Sequence, residues 1–241
     1  MKITVTTAPR ENHVTKHIEN WFVSYKPEGE RRPVDVTFLG VWDTVYAFGI
    51  PMKIAGIPFY RWDLFKDKHV SPNIRKALHL VSIDETRTPF EPTLMNYNPG
   101  VVEEVWFPGV HADVGGGYAE DELGRISFNY MVDKLNEYTG KQGLPPVRFH
   151  EATLKGYLEL READYQFHFH GLGYKKGMRT IHILEDDKPC ARLPRIHESV
   201  FALQQSAATY SVVEERKGMK KYRIQYNPPN LKALQGKYEA A

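Results

Sequence analysis

The sequence predicts an α/β protein in which a parallel sheet is flanked by helices, and two observations carry that prediction. Apolar segments of strand character, PVDVTFLGVWD (33–43) and EEVWFPGVH (103–111), alternate with stretches of helical periodicity. Each of these segments also ends on a chemically versatile side chain, Asp43 or His111, and open parallel sheets bind their ligands outside the carboxyl ends of the strands.

The elements follow in order. Val14, Ile18, Trp21, Phe22 and Tyr25 share one helical face, and Pro27 and Gly29 end that helix. In PVDVTFLGVWD, alternating Val34, Val36 and Phe38 pass into a continuous apolar run, the pattern of a strand buried on both faces. SPNIRKALHLVSIDE (71–85) reads as a second helix, with Ser71 as cap, Pro72 at the first helical position and a stripe of Ile74, Ala77, Leu78 and Val81. EEVWFPGVH is a strand that delivers His111, and the next helix buries Phe128, Met131, Val132 and Leu135 before stopping near Gly140. Beyond Pro145 the elements are short, and a basic run, ERKGMKKYR (215–223), precedes a tail expected to be loosely held.

Composition narrows the function. Lys plus Arg number 32 against 30 for Asp plus Glu, so no net field draws the chain to nucleic acid. Cys190 is the single cysteine, which excludes an internal disulfide and a cysteine zinc cage. The start, MKITVTTAPRENHVTKH, has no apolar signal region, and no run approaches the roughly 18 apolar residues of a membrane span. A soluble protein, cytoplasmic in the cell that makes it, is the expectation.

Asp43 and His111 are the candidates for chemistry. A carboxylate that accepts the N–H of one ring nitrogen fixes the tautomer and leaves the other nitrogen free to take a proton. Gly115, Gly116 and Gly117 would let the backbone turn beside the ring and leave room for substrate. The same residues also fit a turn-capping aspartate and a half-buried histidine with its bonds satisfied. A serine nucleophile would need a G-x-S-x-G elbow. Ser24, Ser71, Ser82, Ser127, Ser199, Ser206 and Ser211 all lack one.

Weaker features are weighed against plain structural roles. YAFGIPMKIAGIPFYRWDLF (46–65) could wall or cover an acyl chain, or simply pack on the core. His168 and His170 have the spacing of metal ligands but read better as a surface pair, and Asp113 with Asp43 and His111 offers too little carboxylate for a divalent cation. No metal or cofactor is expected. Lys217, Lys220, Lys221 and Arg223 read as a solvated face rather than a lipid-headgroup site. Ser199, beside His197 and Glu198, is rejected as a second triad because strand neighbours point apart.

Four blocks, FLGVWDTV (38–45), SIDETRTPFEP (82–92), WFPGVHADVGGGY (106–118) and RIHESV (195–200), resemble the catalytic domain of type VI secretion phospholipase effectors, a branch of the α/β-hydrolases, over residues 34–230. The resemblance implies a single, partial α/β-hydrolase domain over 1–241 that lacks the family's first strands, with Asp43 as triad acid and His111 as triad base. It also implies a phospholipid or other lipid ester as substrate, delivery by type VI secretion, and a nucleophile elbow lying upstream of Met1. Two functions follow: a serine lipid esterase to which this chain gives acid and base, inactive alone and completed by a missing N-terminal half or partner chain, or a non-catalytic lipid- or protein-binding relative of that fold.

Overall fold

In a computed structural model the described residues are 35–45, 53–54, 57–58, 68–147, 165–169, 177–206, 209–215 and 218–241. The amphipathic segment with Trp21 and Phe22, most of the 46–65 segment, and His170 lie outside them. The strands of the central sheet are β1 (Leu39–Trp42), β4 (Ala77–Ser82), β5 (Val102–Phe107), β9 (Arg195–Ile196) and β12 (Glu239–Ala240), in the order β1-β4-β5-β9-β12. Every pairing in it is parallel. Short antiparallel pairs join β2 (Lys53–Ile54) to β3 (Ile57–Pro58) and β7 (Leu184–Glu185) to β8 (Lys188–Pro189). A second sheet orders β11 (Gly218–Arg223), β10 (Thr209–Glu215) and β6 (Tyr165–Phe169). Among the described residues the helices are α1 (His111–Gly115), α2 (Glu122–Lys141), α3 (Glu198–Gln205) and α4 (Pro229–Ala233), with a 3₁₀ turn at Thr88–Phe90.

The helix expected at 71–85 is instead a turn followed by β4. Ser71 accepts the N–H of Ile74 at 2.9 Å, and the chain then runs extended. All six β4 residues are buried. A strand covered on both faces shows apolar residues at nearly every position, so spacing of 3 and 4 occurs within it and imitates a helical stripe. The stripe of α2 holds, with Leu123, Ile126, Met131 and Val132 buried, while Phe128 and Leu135 are only partly so. This helix lies close over β1: a Cβ at Gly40 would meet Met131 Sδ at 2.6 Å. β1 itself is half-buried, not buried on both faces, and stands at one end of the sheet as described.

The C-terminal segment is also ordered differently from expectation. Leu231 is buried, Tyr238 stacks on Phe201 at 5.2 Å, and β12 pairs with β9 as part of the central sheet. Within the preceding basic run Gly218–Arg223 form exposed β11, where Lys221 lies 4.2 Å over the Tyr210 ring, while Lys217 lies outside the described residues.

Candidate functional site

Asp43 follows β1 directly. Its φ of +40° is a left-handed conformation that aspartate tolerates better than most side chains, and it turns the carboxylate in over the sheet edge, where the residue is fully buried. The next residue is locked by a buried acid–imidazole pair. His79 Nδ1 donates to Glu104 Oε1 at 2.8 Å, and His79 Nε2 accepts the main-chain N–H of Thr44 at 3.1 Å.

His111 reaches the same place by another route. It is the first residue of α1, four residues past β5, and β4 lies between its strand and β1. The strands that deliver the two residues are therefore separated by β4. The connection is tied to the loop after β4: Gly109 N–H donates to Asp84 Oδ2 at 2.7 Å and His111 N–H to Glu85 Oε2 at 3.3 Å. The structure still brings the pair together, with His111 Nδ1 2.7 Å from Asp43 Oδ2. An ionised carboxylate can only accept, so Nδ1 is the donor in this bond, and in the neutral ring Nε2 carries the lone pair. No described residue hydrogen-bonds Nε2, and the His111 side chain is 31% exposed. Phe90 flanks the ring edge-on at 5.2 Å.

Sequence reasoning missed Arg179. Its Nη1 donates to Asp43 Oδ1 at 2.6 Å and its Nη2 to Asp43 Oδ2 at 3.0 Å. The same guanidinium bonds Ser82 Oγ at 2.6 Å, the Ser82 carbonyl at 2.9 Å and the Phe90 carbonyl. Ser82 N–H adds another bond to Asp43 Oδ1 at 2.8 Å. Burial works to raise the Asp43 pKa, but the His111 bond and the Arg179 charge outweigh it and hold the carboxyl down at about 2. Arg179 stands 136 residues from Asp43 with no local spacing to mark it; its one sequence signal is a lone arginine before an apolar run.

Two more carboxyl groups tie down the turn that carries His111. Burial opposes the Glu85 charge, yet a two-pronged Arg87 contact at 2.8 and 2.6 Å keeps this carboxyl below its usual range. Asp84 is pushed up to about 7 by burial, against bonds from Gly109 N–H and the Tyr226 hydroxyl at 2.8 Å. A cavity of about 380 Å³ opens beside Asp84 and Glu85, walled by Ile83, Phe169, Ile224 and Tyr226.

The remaining candidates lie on or beside α1, β6 and α3. Gly115 ends α1, and Gly116 (φ +83°) and Gly117 (φ +129°) turn the exposed chain where a side chain would be strained. Asp113 and His168 bond each other at 2.7 Å, so His168 is buried and not part of a surface pair. Among the described residues no group of three metal-ligating side chains occurs. His197 and Ser199 do meet, Nδ1 to Oγ at 2.8 Å, because His197 caps α3 and Ser199 lies in its first turn, neither on a strand. Burial against Phe107, stacked at 4.3 Å, brings His197 down to about 4.

A family model described as T6SS, phospholipase effector Tle1-like, catalytic domain matches residues 4–134, more than half of the chain. No curated protein and no solved structure matches. The matched segment holds Asp43, His111 and Gly115 to Gly117, while Arg179 and the RIHESV block lie beyond it.

Proposed function

Because the chain belongs to the T6SS Tle1-like phospholipase effector family through its catalytic domain, we propose that it supplies the acid and base of a serine-dependent phospholipid esterase. The observation that carries the reading is the 2.7 Å bond between His111 Nδ1 and Asp43 Oδ2, with Nε2 left unbonded by described residues. Nε2 takes the proton of a serine hydroxyl as that oxygen attacks the lipid ester carbonyl, and Asp43 holds the resulting imidazolium. His111 then returns the proton to the leaving alcohol, and water repeats the cycle on the acyl-enzyme. Gly115, Gly116 and Gly117 leave space for substrate beside the ring, and the chemistry needs no metal or organic cofactor. Delivery by type VI secretion follows from the family; among the described residues no helix is long and apolar enough to cross a membrane.

The sequence contains no G-x-S-x-G, so these residues provide acid and base, and the nucleophile comes from another segment or partner chain. That same observation favours a second reading, a lipid- or protein-binding relative that keeps the cleft without turnover. Phospholipid vesicle hydrolysis separates the two. The chain alone should be inert and unlabelled by a serine-directed phosphonate. Joined to the translation of the DNA preceding the Met1 codon, it should hydrolyse acyl esters, and Asp43→Asn or His111→Ala should lower turnover by about 10⁴. Turnover unchanged by either substitution sinks the esterase assignment. An upstream sequence with no elbow favours the binding reading.

A further inference from the structure

We infer that Arg179 is a positioning residue of this site, neutralising the Asp43 carboxylate it holds so that Asp43 orients His111 without trapping it as imidazolium. The inference rests on the assignment of Asp43 and His111 as acid and base. A base must begin the reaction unprotonated, yet a lone buried carboxylate beside an imidazole favours the protonated ring. Here the carboxylate is shared. Oδ1 accepts Arg179 Nη1 and Ser82 N–H, and Oδ2 accepts Arg179 Nη2 and His111 Nδ1. The two guanidinium nitrogens span both oxygens, which fixes the carboxylate plane as well as its charge.

The same guanidinium gathers the segments that frame the base. It bonds Asp43 after β1, Ser82 at the end of β4 and the carbonyl of Phe90, whose ring flanks His111. Arg179 is 3% exposed, so water does little to screen it. The other charged groups around the pair have partners of their own. Glu85, which receives the His111 N–H, is matched by Arg87. Asp84 is bound by Gly109 and Tyr226, and Asp113, two residues along α1, is bound to His168. Removing Arg179 is therefore the change that leaves the Asp43 charge facing His111 alone.

The test is the ring titration of His111 in the full chain, followed by NMR with ¹⁵N-labelled histidine. Arg179→Gln should move the midpoint up by about one pH unit, a tenfold gain in proton affinity. Arg179→Lys keeps the charge and should leave the midpoint near that of the parent. If Arg179→Gln does not fold, the parent chain supplies the second measurement: Arg179 Nη resonances should shift with the His111 midpoint, since both groups share Oδ2. A folded Arg179→Gln variant with an unmoved midpoint, or Nη resonances blind to His111, overturns the inference. Neither readout needs turnover. Failure of ester hydrolysis would therefore strike the functional reading alone, and an unmoved midpoint this one alone.

Discussion

The buried ring of His168 donates Nδ1–H to the Asp113 carboxylate at 2.7 Å, and the main-chain N–H of His168 reaches that carboxylate at 3.1 Å. The pair fastens α1, whose first residue is His111, to β6 in the second sheet. Asp113 also accepts the N–H of Val110 at 3.0 Å, which closes the turn that enters α1. Two residues that sequence spacing offered as metal ligands are thus occupied with each other.

Asp113→Ala would leave three donors in the interior without their acceptor. The expected loss is about 3 kcal/mol or more, read from urea unfolding. Asp113→Asn keeps one acceptor oxygen and should lose less. An alanine variant as stable as the parent would remove Asp113 as the anchor of α1.

Asp43 sets an acid limit. Its carboxyl is lowered from 3.8 unfolded to about 2 folded, so its contribution is full above about pH 4 and disappears as pH falls through 2. By linkage that contribution is about 2 kcal/mol. Asp43→Asn should therefore destabilise the chain at pH 7, and its deficit should shrink between pH 4 and pH 2. A deficit independent of pH in acid unfolding would contradict the ionised, arginine-bound carboxylate.

Asp84 works in the opposite sense. With its folded pKa raised to about 7, the stability present below about pH 4 is lost as pH rises through 7, because the buried site favours the protonated form. Both of its bonds, from Gly109 and Tyr226, fall on the single oxygen Oδ2, and an amide oxygen can accept both. Asp84→Asn should consequently raise the Tm at pH 8, raise it less at pH 5, and change it little at or below pH 4. A lower Tm at pH 8 would show that the charge is wanted there.

These residues also explain how much the sequence could disclose. Asp43 and His111 were legible because each stands just after an apolar strand run, and parallel topology sends such residues to one edge. α2 was legible because its polar face is exposed and leaves a one-sided stripe. β4 was not: Leu78, His79, Leu80 and Val81 are covered on both sides, so its pattern has no single period. Arg179 and the Asp113–His168 pair were illegible because contacts over 136 and 55 residues leave no spacing to read. The three glycines after the histidine stand out in the sequence for their flexibility. The glycine that the histidine's placement most needs is Gly109, before it.

Gly109 has φ +104°, and a Cβ there would stand 2.4 Å from Asp113 Cβ. Gly100 has φ +79° and open space around it, which makes it the control. Gly100→Ala carries only the left-handed backbone cost, about 1–2 kcal/mol. Gly109→Ala carries that cost and also forces Asp113 to move, since two side-chain carbons cannot share that distance. Asp113 lies two residues into the helix that His111 begins, so the displacement should reach the Asp43 bond. The expected result is a larger loss of stability than in Gly100→Ala, together with a shifted or broadened Nδ1 proton resonance of His111 that the control leaves in place. Equal losses in the two variants with an unchanged His111 resonance would show that the turn tolerates a side chain and that Gly109 does not set the position of His111.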